Sequence, residues 1–99
     1  MEIRIQAIHF EATEKLQDFI QKKVSKLEKF SDEIRKVEVS LKVVKPETAL
    51  NKETAIVLSV PGSELRAEKV CDTFEEGIDL CVDALKVKLT KLKEKTRNY

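Results

Sequence analysis

Six basic side chains, Lys86, Lys88, Lys91, Lys93, Lys95 and Arg97, crowd the stretch between Ala84 and Tyr99, where Glu94 is the only acid, a surplus of five positive charges. Just upstream, Asp72, Glu75, Glu76, Asp79 and Asp83 follow one another with no base between them. Ammonium and guanidinium groups gathered in this way bind polyanions locally. The near-neutral whole, 19 basic against 18 acidic residues, keeps the chain from being sticky everywhere. A second set of lysines lies near the N-terminus: Lys15, Lys22, Lys26 and Lys29, with Lys23 beside them. At about 100° per residue these four fall within about 60° on one helix face. Lys86, Lys93 and Arg97 share a face by the same geometry. Two such ridges side by side would line a groove with cations that fits the phosphates of a structured RNA.

Simpler readings stand beside this one. Lysines on the outer side of an amphipathic helix are ordinarily just solvated. Acid early and base late along a helix also complements its dipole, at about 0.3–1 kcal/mol per charge. A dipole is served within the first and last turns, however, and the basic run from Lys86 to Arg97 covers about three turns at 3.6 residues each. Two coincident stripes favour binding over solvation.

Other chemistries find little to work with. His9 is the sole histidine and sits near a strand end, and no serine lies in the context of an activated nucleophile. Glycine occurs only at positions 62 and 77, so no phosphate-cradling loop can form in the usual way. No CxxC, HExxH or EF-hand spacing is present, which argues against a metal or other cofactor. Cys71 and Cys81 are expected as free thiols, Cys81 on an apolar stripe. With no Trp, one terminal Tyr and four Phe, few rings are available to stack bases. The expected mode is backbone and shape recognition by a protein that is not an enzyme.

The elements that must hold these lysines can be read from periodicity. Ile3, Ile5 and Ala7 alternate with Glu2, Arg4 and Gln6 as a half-buried strand. Thr13 caps a helix in which Leu16, Phe19, Ile20, Val24, Leu27 and Phe30 recur at helical spacing up to Ser31-Asp32. Val37, Val39, Leu41 and Val43 form a second strand, Lys45 to Asn51 a connection, and Thr54, Ile56, Leu58 and Val60 the inner face of a third. Pro61-Gly62 is a turn, and Leu65 and Ala67 open a fourth strand. A final helix starts near Thr73 and carries Phe74, Ile78, Cys81, Leu85, Leu89 and Leu92 as one stripe. The prediction is an α+β domain spanning residues 1–99, in the order β-α-β-β-β-α. Its first two strands are parallel, the later ones form a meander, and two helices cover one face of a four-stranded sheet while the other stays wet. The lack of a leader or of a long apolar run makes the cytoplasm the expected compartment.

Several segments carry a family resemblance. Thr13-Glu14-Lys15-Leu16, Phe19-Ile20 and Lys26-Leu27-Glu28-Lys29-Phe30 resemble the first helix of the ribosome hibernation promoting factors, also called ribosome-associated inhibitors or sigma-54 modulation proteins. The strand Val37-Glu38-Val39-Ser40-Leu41-Lys42-Val43 follows at the expected place. Ile78-Asp79-Leu80, Asp83, Leu85 and the ending Leu89-Thr90-Lys91-Leu92-Lys93-Glu94-Lys95 resemble the second helix. The resemblance covers nearly the whole chain and is to the short form, without a linker and C-terminal domain.

It implies a factor made when growth slows, seated in the channel of the small ribosomal subunit across the mRNA and A- and P-site tRNA positions, where it blocks initiation. The partners implied are ribosomal RNA and neighbouring ribosomal proteins, bound by a chain that is monomeric off the ribosome. No membrane or small-molecule substrate is implied. Asp72-Thr73-Phe74-Glu75 stands where relatives often carry Glu-Asp-Met-Tyr, and Ala84 and Val87 where Lys and Arg are common. Lys91, Lys93, Lys95 and the first helix would then carry most of the RNA contact. Without the resemblance, a general double-stranded-RNA module and a protein-interaction module remain open readings of the same residues.

Overall fold

The computed structural model describes residues 1–8, 10–44 and 50–97, with the backbone alone for residues 93–97. Its elements are β1 (Glu2–Ile8), α1 (Glu14–Ser25), a 3-10 turn (Lys26–Lys29), β2 (Lys36–Val43), β3 (Lys52–Val60), β4 (Ser63–Cys71) and α2 (Phe74–Arg97). The strands lie in sequence order in one sheet. β1 runs parallel to β2 with Ile3 beside Val37, and β2, β3 and β4 follow as an antiparallel meander. The expected α+β order therefore holds. His9 and most of the expected connection, residues 45–49, lie outside the described residues.

Alternation decides which face is covered. Val37, Val39, Leu41, Ile56, Leu58 and Thr54 are almost fully shielded, and Ile20, Val24 and Leu27 meet them from the α1 side. Phe74, Ile78, Cys81, Leu85 and Leu89 close the core from α2. Each side chain of this size contributes about 1.5–3 kcal/mol when fully removed from water. The opposite face, with Arg4, Glu38, Ser40, Lys42, Arg66 and Glu68, stays exposed or half-buried. Both thiols are free and buried, and desolvation lifts the Cys81 thiol to about 11, which keeps it protonated and unreactive at neutral pH.

Local signals set the element ends. The Thr13 hydroxyl accepts from the Leu16 amide at 3.1 Å, and Thr73 does the same for Glu76 at 3.1 Å, so each helix opens on a threonine cap. Gly62, at φ 73°, turns β3 into β4 where a side chain would be strained. Phe10 stacks on Phe74 with ring centroids 5.2 Å apart, tying the segment after β1 to the start of α2. Gly77 lets α2 press onto β3, since a Cβ there would lie 2.5 Å from the Thr54 hydroxyl oxygen.

One boundary differs from expectation. The first helix stops being α-helical at Ser25, and Lys26–Lys29 tighten into a 3-10 turn. Leu27 still reaches the core and Phe30 packs against it. The tighter winding therefore delivers both apolar side chains at a spacing of three.

Candidate nucleic-acid interface

Contacts between the helices orient the basic stripes. Lys23 of α1 pairs with Asp79 of α2 at 2.9 Å, and seven residues further along each helix the Lys86 ammonium lies 5.6 Å from the centre of the Phe30 ring. Equal steps in the same direction mean that α1 and α2 run parallel. On α1, Lys15 and Lys22 lie within about 20° of each other at about 100° per residue, Asp18 is their neighbour at about 40–60°, and Lys23 is turned from them toward α2.

The 3-10 turn sharpens this arrangement. Side chains three apart eclipse one another in that geometry, so Lys26 and Lys29 stack on one line instead of fanning out as α-helical winding would have them. Lys15, Lys22, Lys26, Lys29 and Lys91 are exposed, and none has an ion-pair partner among the described residues. These five ammonium groups are available to a phosphate backbone.

Three other sequence-predicted site residues are engaged in the fold. Lys23 is half-buried between Asp79 and the Phe19 ring, 5.6 Å from its centroid, and works as an inter-helix tie. Lys86 lies over Phe30 with Asp83 3.7 Å away, so its charge is partly answered within α2. Lys88 donates to the Arg66 carbonyl on β4, one of the two edge strands, and so blunts a sheet edge. Where the two helices meet, their facing cations are therefore answered within the fold. The backbone carries Lys93, Lys95 and Arg97 along the same helix, but their side chains lie outside the described residues.

Sequence reading passed over a pair on the wet face of the sheet. Glu53 of β3 and Glu68 of β4 share a hydrogen bond that raises the Glu53 carboxyl above the usual range, with desolvation adding to it. The same bond, with Arg66 beside it, holds Glu68 below that range. The two meet only through the β3–β4 register, which sets Glu53 beside Val70 and Glu68 beside Ala55. Among the described residues no cluster of His, Cys, Asp and Glu could hold a metal ion, and no helix is long and apolar enough to cross a membrane.

Residues 3–97 match the family model described as Sigma 54 modulation protein / S30EA ribosomal protein. A ribosome hibernation promoting factor of Pseudomonas putida is 32% identical over 98 residues, covering 99% of this chain and 92% of that protein. The factor of the same name from Escherichia coli K12 is 33% identical over 99 residues, the full length of both. Among solved structures, a ribosomal subunit interface protein from Coxiella burnetii superposes with a TM-score of 0.84 at 22% identity, covering 95% of this chain and 99% of that one. The N-terminal domain of Thermus thermophilus Protein Y gives 0.80 at 22% identity, covering 93% of this chain and 99% of its own. Matched nearly end to end in sequence and in fold, the chain belongs to the Sigma 54 modulation protein / S30EA ribosomal protein family.

Proposed function

We propose that this chain is a cytoplasmic, non-enzymatic ribosome hibernation factor. It enters the mRNA and A- and P-site tRNA channel of the small subunit as a monomer, grips ribosomal RNA phosphates, and silences translation when growth slows. The observation that carries the reading is the set of uncompensated cations, Lys15, Lys22, Lys26, Lys29 and Lys91, presented on the exposed surfaces of two parallel helices. The names of the relatives supply the ribosome as the partner. Lys93, Lys95 and Arg97 extend the set in sequence, while Lys23, Lys86 and Lys88 contribute mainly by holding the helices and the sheet edge in place.

Backbone recognition of this kind displaces counterions from the RNA. With about four or five phosphates neutralised, affinity should fall about 100-fold or more between about 50 and 200 mM salt. The test is co-sedimentation of the purified protein with ribosomes and separated subunits at both salt concentrations. It is repeated with a variant carrying Lys22→Glu, Lys26→Glu, Lys91→Glu and Lys93→Glu. The expected result is salt-sensitive association with the small subunit, abolished in the variant while its circular dichroism stays unchanged. Equal retention on free RNA duplexes would favour the general double-stranded-RNA reading, and salt-insensitive retention a protein-binding one.

A further inference from the structure

The two edges of the sheet are finished differently. On β4, Lys88 reaches across to the Arg66 carbonyl. β1 lacks the usual guards: its sequence has no proline, its register with β2 has no bulge, and its core-facing side carries Ile3, Ile5 and Ala7 without a charge. The Glu2 amide donates to the Arg35 carbonyl at 3.1 Å. Alternation then turns the backbone groups of Glu2, Arg4 and Gln6 toward β2, and those of Ile3, Ile5 and Ala7 toward the open side. The side chains of these three are only half-buried, whereas Val37, Val39 and Leu41 beside them are almost fully shielded.

A depression lies at each end of this edge. One, of about 380 Å³, is lined by Ile5, Ala7, Phe10, Glu11, Ala12 and Gln17. The other, of about 240 Å³, is lined by Met1, Glu28, Ser31, Asp32 and Ile34. Glu11, Glu28 and Asp32 are exposed and have no ion-pair partner among the described residues, and no lysine or arginine lines either depression. We propose that the open edge of β1 receives an extended, basic segment of another protein as a fifth strand. The N–H and C=O groups of Ile3, Ile5 and Ala7 hold its backbone, and small apolar side chains at its middle cover Ile3 and Ile5. The six steps from Met1 to Ala7 span about 20 Å, and an even number of steps brings side chains back to the same face. A basic residue at each end of such a segment therefore meets Glu28 and Asp32 on one side and Glu11 on the other. The same acids disfavour an RNA strand or a second copy of this chain, which would set negative charge against negative charge.

The test is an NMR titration of the isotope-labelled full chain with a capped synthetic peptide of the order lysine, threonine, valine, threonine, valine, threonine, lysine. The amides of Ile3, Ile5 and Ala7 should shift and exchange more slowly, with saturable binding in the high-micromolar to millimolar range. N-methylating alternate peptide nitrogens should abolish binding in one phase and leave it in the other, because only one row of N–H groups faces β1. A peptide with glutamate at both ends should bind about tenfold more weakly or worse. Glu11→Lys, Glu28→Lys and Asp32→Lys together should reverse that preference; the three positions are exposed, so the variant keeps the dispersed spectrum of the fold. Ala7→Pro removes one open-side N–H and no ladder bond, and should weaken the lysine-ended peptide. Edge amides that do not move, shifts centred on α1 or α2 instead, or equal binding of the two peptides overturns the proposal. No RNA or ribosome enters the measurement, and its outcome is independent of the ribosome reading.

Discussion

At the scale of single residues, the most informative side chains are those whose partner decides what they do. Lys22 and Lys23 are neighbours in sequence, yet Lys22 has no ion-pair partner among the described residues and Lys23 is spent on Asp79. Glu53 and Glu68 illustrate the same dependence for acids. Glu53 has its pKa raised by the bond to Glu68, so its contribution is present at low pH and is lost as pH rises through its folded value. Glu68 has its pKa lowered, so its contribution is present above the ordinary carboxylate range and lost on acidification. Toward neutral pH the pair becomes two like charges side by side, only partly relieved by Lys42 and Arg66. Glu53→Gln keeps a donor for Glu68 and carries no charge. Its urea midpoint should match the parent near pH 4.5 and exceed it at pH 7. A variant less stable than the parent at pH 7 would show that the pair does not repel.

Among elements, α2 comes close to β3 at Gly77 and Thr54. The Thr54 hydroxyl is buried without a hydrogen-bond partner among the described residues, and its room is the space a Cβ on Gly77 would fill. Ala is preferred to Gly inside a helix by about 1 kcal/mol, but overpacking costs about 1–3 kcal/mol. Gly77→Ala should therefore destabilise the protein despite its better helix propensity. In a Thr54→Ala background the nearest atom becomes Cβ at 3.0 Å. The same change should then cost less, by about 1 kcal/mol or more in a double-mutant cycle. Additive effects in chemical denaturation would mean that the helix simply shifts.

The elements were legible in the chain where one physical rule acted alone. Alternation located β1, β2 and β3, the apolar stripe located α2, and Thr13 marked the start of α1. The 3-10 turn was not legible, because Leu27 and Phe30, three apart, fit an apolar stripe under either winding. The basic stripes were visible as patterns, but which lysines remain free was not. Lys23, Lys86 and Lys88 find Asp79, Phe30 and the Arg66 carbonyl only once the helices dock. The carboxyl pair was hidden for the same reason, since it depends on register across a hairpin.

Taken whole, the molecule is a long body, 50 × 23 × 18 Å, and α2 accounts for much of that length. Its 24 residues span about 36 Å at 1.5 Å each. Because the helices are parallel and Phe30 lies level with Lys86, α2 continues past the end of α1 with its basic half. Acid at one end of the helix and base at the other give the molecule a direction in an external field.

The parallel pairing of β1 with β2 also bears on how the chain reaches this shape. β3 and β4 join across Pro61-Gly62, and closing that short loop costs little entropy. β1 must wait for Lys36 to arrive beside Glu2, with all of α1 looped out between them. β1 is therefore expected to be the last strand to find its neighbour, with Ile3 and Ile5 uncovered in the interval. Pulse-labelled hydrogen exchange during refolding should show β3 and β4 amides protected before those of β1; simultaneous protection would mean that the sheet closes in one step. Until it docks, β1 is the strand whose apolar residues stand open to aggregation or cleavage.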